Sequence, residues 1–176
     1  MVNSKDKLLM EDISKFYNLE NITKIIPITK GESELSLRVL DWFVTNYCKN
    51  KNIILNKNGK YYNIYLDYKS QLKAFSKKQF DPFCRRERIV FYYNKKQYIT
   101  TTVGQLNFFK WAIENNILDY VNNNLKFIEE NMNHSSAIIK KTKKLRNKNK
   151  EYIEDFKILG SKKINKNNID ITISFK

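Results

Sequence analysis

The sequence is short of the residues on which most enzyme active sites depend. Histidine occurs once, at His134, and cysteine twice, at Cys48 and Cys84. There are only four glycines, and neither GxxxxGK[ST] nor GxGxxG is present. These shortages argue against a Cys/His zinc site, a phosphate-binding glycine loop and a Ser-His-Asp or Cys-His nucleophile. We therefore expect no catalytic residue, no cofactor and no metal.

Disulfide pairs and long apolar runs are missing as well. The two cysteines form no CxxC pair, which fits a reducing compartment better than a disulfide scaffold. The N-terminus has no apolar run of signal-peptide length, and no stretch approaches the ~20 apolar residues of a membrane span. The sequence therefore predicts a protein that is not secreted and has no membrane span.

Positive charge, in contrast, is abundant. Lysine and arginine number 33 against 18 acidic residues, giving a formal charge of +15 and a pI near 9.7. Such a balance favours a polyanionic partner, namely nucleic acid, an anionic membrane surface or an acidic protein. The abundance of Lys, Asn and Ile is typical of AT-rich codons, so the positions of the charges are more informative than their total.

The periodicity of apolar residues predicts one compact α+β domain, a small antiparallel sheet packed against helices. Helices are predicted over 3–18, over 34–48 after a Ser33 cap, and over 104–131 after Thr101 or Thr102, with Asn115-Asn116 as a break. Pro27 and Gly31 should interrupt the chain between the first two helices. Strands are predicted over 61–68, 88–93 and 97–102, the last two as a hairpin.

The character of the chain changes after residue 131. From 131 to 150 there is no acidic residue, and there are seven basic ones: Lys140, Lys141, Lys143, Lys144, Arg146, Lys148 and Lys150. The sequence accordingly divides into a body (1–133), a flexible or loosely helical basic arm (134–150) and a C-terminal helix and strand (151–176). The alternating "NNIDITISFK" should form a strand that joins the body or pairs with another copy in a homo-oligomer.

The basic arm is the best candidate for nucleic-acid binding. If six or seven phosphates were neutralised on DNA, the log–log salt slope would be about −6, and the binding would be nearly independent of sequence. A solvated linker, a nuclear-targeting signal and a site for an acidic protein are the alternatives for the same residues.

Three of the five arginines, Arg85, Arg86 and Arg88, fall together in "FDPFCRRERI". The planar guanidinium binds carboxylate or phosphate in a bidentate manner and stacks on aromatic rings, which lysine does not. One interpretation is structural, with these arginines paired to Asp81, Glu87 or acids elsewhere. The other is a secondary anion site at the start of a strand. Strand alternation places Arg86 and Arg88 on one face and Arg85 on the other.

Carboxylates alone can serve metal-dependent nucleases, so they need a separate test. Such an enzyme usually has an acid near the end of one strand and an acid-x-Lys pair on the next strand. Asp67-Tyr68-Lys69 fits this pattern loosely. Lysine is so common in this chain that the pattern arises easily by chance, and a nuclease is the weakest of the alternatives.

Several stretches together resemble a known group of proteins. They are "FDPFCRRERIVF", "ITTTVGQLNFFKWAIENNILDYV", the basic arm and "SKKINKNNIDITISF". This combination resembles uncharacterised proteins of nucleocytoplasmic large DNA viruses of the mimivirus and marseillevirus kind. The resemblance covers about residues 36–176 and carries over no catalytic residue. It implies a viral protein made in the cytoplasm of an infected cell, with packaging in the virion as a further implication.

The leading hypothesis is thus a non-enzymatic viral protein that binds DNA or RNA non-specifically. The residues from Lys140 to Lys150 would supply the electrostatics, and the arginine triplet would be secondary. A structural protein that engages an acidic protein partner is the alternative, and a nuclease is the third.

Overall fold

A computed structural model describes residues 4–57, 59–83 and 88–161, with side chains described for 6–57, 59–83 and 88–147. The chain divides into two units, Met1–Met132 and Asn133–Lys176. The elements in chain order are α1 (Ser4–Phe16), α2 (Leu19–Lys30), α3 (Leu37–Trp42), a π-helix (Phe43–Tyr47), α4 (Cys48–Lys51), β1 (Ile54–Lys57), β2 (Lys60–Asn63), α5 (Ile64–Phe80), β3 (Ile89–Tyr92), β4 (Tyr98–Thr101), α6 (Val103–Glu114), α7 (Ile117–Asn123) and α8 (Leu125–Ser161).

The α+β class predicted from the sequence is confirmed. The described strands form two separate antiparallel hairpins, β1–β2 and β3–β4, rather than one small sheet. The second hairpin is the one that the sequence predicted, and Phe91 pairs with Ile99 in its register. The predicted strand near the C-terminus lies outside the described residues. None of the helices in the described part of the chain is both long and apolar enough to cross a membrane.

Helix α6 forms the centre of the body. Its apolar residues are nearly all buried, and they occupy more than one face of the helix. A helix that is apolar on several faces is typically surrounded by other elements. Phe108 and Trp111 on α6 meet Tyr68 and Phe80 on α5, with ring centroids 5.6–6.2 Å apart. Tilted and edge-on aromatic pairs at such distances add stabilisation beyond the area that they bury.

The limits of the predicted helix over 104–131 follow from its polar residues. The side chain of Thr102 caps α6 by accepting a hydrogen bond from the amide of Gln105 at 3.2 Å, as the sequence predicted. The break at Asn115-Asn116 is also confirmed, since Asn116 adopts a left-handed conformation with φ 54°. A second break at Asn124 separates α7 from α8.

The strand predicted over 61–68 is wrong beyond Asn63. Strand β2 ends there, and the Asn63 side chain accepts a hydrogen bond from the amide of Leu66 at 2.9 Å, capping α5. The buried residues of this stretch are Ile64 and Tyr68, which are four residues apart. Short apolar runs fit both a strand and a helix. Here the asparagine cap marks where the helix begins, and the shared burial of Ile64 and Tyr68 favours the helix. Ser76 (φ 64°, ψ 165°) later kinks α5.

Pro27 does not interrupt the chain as predicted, because it lies inside α2. A proline there lacks the N–H that would bond to the carbonyl of Thr23. Ile22, Ile25 and Ile28 are buried on one face of the helix, and this packing offsets the loss. Gly31, in the left-handed conformation with φ 76°, then ends α2.

The predicted helix over 34–48 starts later than expected and is not uniform. Ser36, rather than Ser33, caps α3 by accepting a hydrogen bond from the amide of Val39 at 3.2 Å. Leu35 precedes the helix and is 1% exposed, so the bend before α3 already delivers a side chain to the core. The helix widens to π geometry over Phe43–Tyr47 before α4.

Gly104, in the first turn of α6, lies against the backbone that follows α5. A Cβ atom at this position would lie 2.9 Å from the carbonyl oxygen of Asp81 and 3.3 Å from that of Lys78. Both neighbours are backbone atoms, so they cannot rotate away as a side chain would. The close approach of α5 and α6 therefore requires glycine here.

Replacing Gly104 with alanine should lower the free energy of unfolding by about 1–3 kcal/mol, because the added methyl group overpacks a rigid contact. Urea unfolding followed by circular dichroism measures the change. Gly31→Asn is the control, since a Cβ atom there meets open space and asparagine tolerates the left-handed conformation. Equal stability of Gly104→Ala and the wild type would show that the α5–α6 contact is looser than described.

Candidate nucleic-acid interface

The lysine segment, residues 140–150, is part of helix α8. Its described cations are all exposed: Lys140, Lys141, Lys143, Lys144 and Arg146. The nearest acidic residue before it in the sequence is Glu130, more than two helical turns away. No acid on the preceding part of the helix can therefore neutralise these charges.

Among the side chains that the structure describes, no ion pair involves this segment. The pairs among the described side chains join Lys24 to Glu20 and Lys110 to Asp12 and Glu114. The five described cations of the lysine segment, from Lys140 to Arg146, are thus available to an external anion. The sequence predicted a flexible or loosely helical arm over 134–150, and these residues take helical backbone geometry.

The cations of the segment occupy one broad arc of the helix. At about 100° per residue, Lys140 and Lys144 lie side by side, and Lys143 and Arg146 continue the same arc next to Lys140. Residues three or four apart on a helix have Cβ atoms about 5–6 Å from each other. Ile138 and Leu145, which are 50% and 63% exposed, lie on the opposite side of the helix from the middle of this arc. The arrangement presents a regular array of positive charge along one helix.

Other predicted binding residues fall outside what the structure describes. The backbone of Lys148 and Lys150 is part of α8, but the structure does not describe their side chains. Arg85 and Arg86 also lie outside them, so the choice between a structural arginine cluster and an anion site stays a prediction. Arg88 is described, and it is exposed immediately before β3.

One surface was missed by sequence reasoning. The outer face of the β3–β4 hairpin carries Val90, Tyr92 and Tyr98, and all of them are more than half exposed. Lys95 and Lys96 occupy the exposed turn. The available signal was the alternation in "RIVFYY" and "QYITTT", which assigns one residue in two to the solvent side.

The acid-x-Lys pattern at Asp67-Tyr68-Lys69 is not placed as a nuclease would need it. Both residues lie on α5 rather than on a strand, and a separation of two positions turns them about 200° apart. Asp67 accepts a hydrogen bond from Nε1 of Trp111 at 2.6 Å. Asp67 lines one cleft, beside Trp111, and Lys69 lines a second cleft, so the pair does not act on one ligand.

That second cleft, of about 390 Å³, brings together acidic, basic and aromatic groups. Its lining residues include Asp41, Asp81, Tyr68, Lys69 and Lys77. Burial, together with the neighbouring carboxylate of Asp81, raises the pKa of Asp41 to about 6. The cleft therefore holds a carboxyl group that changes charge near neutral pH.

Metal and thiol chemistry find little support in the described residues. No group of three or more His, Cys, Asp and Glu side chains comes together there in a way that could hold a metal ion. His134 is exposed on α8. Cys48 is buried among apolar side chains, and this burial raises the pKa of its thiol well above the ordinary value. Because the thiolate is the reactive form, Cys48 is suited to packing.

Comparison with known proteins places the chain among viral sequences. Residues 2–175 match the profile of a family of unknown function, DUF7197. The chain is also similar to "Uncharacterized protein L507" of Acanthamoeba polyphaga mimivirus, with 40% identity over 150 residues. The alignment covers 79% of this chain and 58% of the mimivirus protein, so the chain spans less than two thirds of that relative's length. No solved structure matches the chain. The predicted relationship to uncharacterised proteins of large DNA viruses is confirmed.

Replacing Asp41 with asparagine should change how stability depends on pH. The pKa of Asp41 is raised on folding from an ordinary value near 3.8 to about 6. The folded state therefore binds more protons than the unfolded state between these values, and stability falls as the pH rises through that window. At pH 7.5 the variant should be more stable by about 1 kcal/mol, a modest figure because the partly exposed carboxylate keeps some hydration.

Urea unfolding at pH 4 and pH 7.5 checks this expectation. The advantage of the Asp41→Asn variant should disappear at pH 4, where the wild-type carboxyl is protonated in the folded state. Glu11→Gln, an exposed position on α1, serves as the control. An Asp41 variant that is equally stable or less stable than the wild type at both pH values would contradict the assignment.

Proposed function

The chain belongs to the DUF7197 family, and we propose that it binds nucleic acid, without preference for sequence, through the lysine segment. The observation that carries this proposal is the run of exposed cations on successive turns of α8, in a stretch that contains no acidic residue. The phosphate backbone of nucleic acid carries negative charge at a density that matches this run of cations.

The physical basis of such binding is the release of counterions. Each cation that neutralises a phosphate frees a condensed counterion, and affinity then falls steeply as salt is added. Contacts to phosphates position a protein but carry no information about bases. An α-helix is also narrow enough to enter the major groove of B-DNA. The proposal extends to DNA and RNA alike, because the charge of the segment does not distinguish them.

The other hypotheses make different demands on the chain. An acidic protein partner would use the same cations, and the salt dependence and the type of ligand separate it from nucleic acid. A metal-dependent nuclease is less well supported, because Asp67 and Lys69 face different clefts. The similarity to a mimivirus protein supports action in the cytoplasm of an infected cell, with packaging in the virion as the finer proposal.

Changing Lys140, Lys141, Lys143 and Lys144 together to alanine should weaken binding to a duplex by about 10–100-fold near 0.1 M salt. The log–log salt slope should fall from about −6 to about −3, because about four fewer phosphates are neutralised. Fluorescence anisotropy of a labelled duplex at several salt concentrations measures both quantities.

The matched control changes Lys7, Lys15, Lys30 and Lys73 to alanine, since these lysines are also exposed and lie elsewhere on the chain. It removes the same formal charge, so it should leave most of the affinity in place. Equal losses in the two variants would mean that total charge, rather than the lysine segment, governs binding. Absence of salt-dependent binding by the wild type would rule the proposed function out.

A further inference from the structure

The β3–β4 hairpin has one face fixed in the core. Phe91 and Ile99 are 6% exposed, and Thr101 is 2% exposed. Phe91 packs edge-on against Tyr17, the residue that follows α1, with ring centroids 5.7 Å apart. Because side chains alternate along a strand, the neighbours of Phe91 on β3 and of Ile99 on β4 point to the opposite face. The outer face of the hairpin is therefore held toward solvent by the packing of the inner face.

That outer face carries large rings where polar residues would be expected. Tyr92 and Tyr98 are opposite each other in the register and are 64% and 56% exposed. Their ring centroids are 5.5 Å apart and their planes are inclined at 54°. The rings are thus not stacked flat on each other, which leaves ring surface open to a ligand. Val90, 52% exposed, continues the apolar surface along β3.

Positive charge surrounds these rings. Arg88 precedes Val90 by two positions, so alternation places it toward the same face, and it is exposed. Lys95 and Lys96 are exposed in the turn that joins the strands. No acidic residue occurs in the sequence from 88 to 113. The charge that the described hairpin itself contributes is therefore complementary to an anion, and it opposes the docking of a second copy of the same basic face.

We propose that this hairpin face, defined by Arg88, Val90, Tyr92 and Tyr98 with Lys95 and Lys96, binds single-stranded nucleic acid. Bases stack on Tyr92 and Tyr98, and the phosphates of the same strand meet the arginine and the lysines. A single strand is required because the faces of bases are accessible only when they leave a duplex. Stacking on aromatic rings tolerates any base, which agrees with sequence-independent binding.

The inference extends the proposed function to a second surface and names the form of nucleic acid bound there. The two surfaces belong to different units of the chain, because the hairpin lies within Met1–Met132 and the lysine segment within Asn133–Lys176. Each can thus be removed without changing a residue of the other, and each proposal can fail alone.

The test uses the full chain and a twenty-nucleotide oligothymidylate, compared with a duplex of equal length. Changing Tyr92 and Tyr98 together to serine should weaken binding of the oligothymidylate by about 10-fold or more, given the usual contribution of one stacked base. The salt slope should stay unchanged, because no charge is removed. Binding of the duplex, which exposes no base faces, should change less than about 3-fold.

Two control variants separate stacking from other effects. Changing both tyrosines to phenylalanine keeps the rings and should preserve affinity for the oligothymidylate. Tyr61→Ser removes the most exposed tyrosine of the other hairpin, at 77% exposure, and should have little effect. Circular dichroism spectra that match the wild type confirm that the serine variant is folded.

A ligand without bases gives an independent measurement. An abasic oligonucleotide of the same length should bind the wild type and the serine variant equally, because it has nothing to stack. The inference is wrong if the wild type does not bind oligothymidylate, if the serine variant binds it as tightly as the wild type, or if affinity for the abasic strand falls equally. Loss of duplex binding in the lysine-segment variant alone, with oligothymidylate binding retained, would support the hairpin site as separate.

Discussion

The close contact between the first turn of α6 and the backbone that follows α5 sets the arrangement of the body. Gly104 allows the two backbones to meet. Next to it, Gln105 donates a hydrogen bond to the carbonyl of Pro82 at 3.1 Å, and Asn107 donates one to the carbonyl of Gln79 at 2.9 Å. Tyr17, which directly follows α1, donates a hydrogen bond from its hydroxyl to the carbonyl of Leu106 on the same helix at 2.6 Å. The bond of Tyr17 is buried and the other two are partly buried, so losing one partner leaves a group that water satisfies incompletely, at a cost in stability.

The same contact positions two of the surfaces within Met1–Met132, the outer face of the hairpin and the cleft that contains Asp41. Thr102 caps α6 directly after β4, so the hairpin enters the helix with no intervening loop. Asp81 follows α5 at the point where α6 crosses, and it lines the cleft that contains Asp41. The aromatic rings of Phe108 and Trp111 fill the space between the helices. The positions of the hairpin and of the cleft that contains Asp41 therefore both depend on α6. Buried side chains and backbone contacts fix the exposed groups on each of them.

The parts of the fold that were predicted correctly are those decided by local chemistry. The Thr102 cap, the Asn115-Asn116 break and the second hairpin each depend on residues adjacent in sequence. The errors arose where packing overrides local preference. Pro27 remains helical because buried isoleucines hold α2, and the stretch after Asn63 is helical because Ile64 and Tyr68 share one buried face.

The candidate binding surfaces show the same division. The charge of the lysine segment could be predicted from the sequence, because no acidic residue interrupts it. The exposure of Tyr92 and Tyr98 could not be predicted, since an aromatic residue in a strand is usually assigned to the core. Only the burial of Phe91 and Ile99 shows which face of the hairpin is turned to solvent. The separation of Asp67 from Lys69 likewise required knowing that they lie on a helix.

Helix α8 has a cost built into the same residues that make it basic. Lys140 and Lys144 are four positions apart, and Lys143 and Arg146 are three apart, so like charges meet on neighbouring turns. Each such pair opposes helix formation by about 0.2–0.5 kcal/mol at low salt. Any polyanion that screens them favours the helical form, and by thermodynamic linkage the helical form favours the polyanion. The helix content of this segment should therefore increase with the concentration of bound anions. Helix formation in the segment and anion binding to it are coupled equilibria.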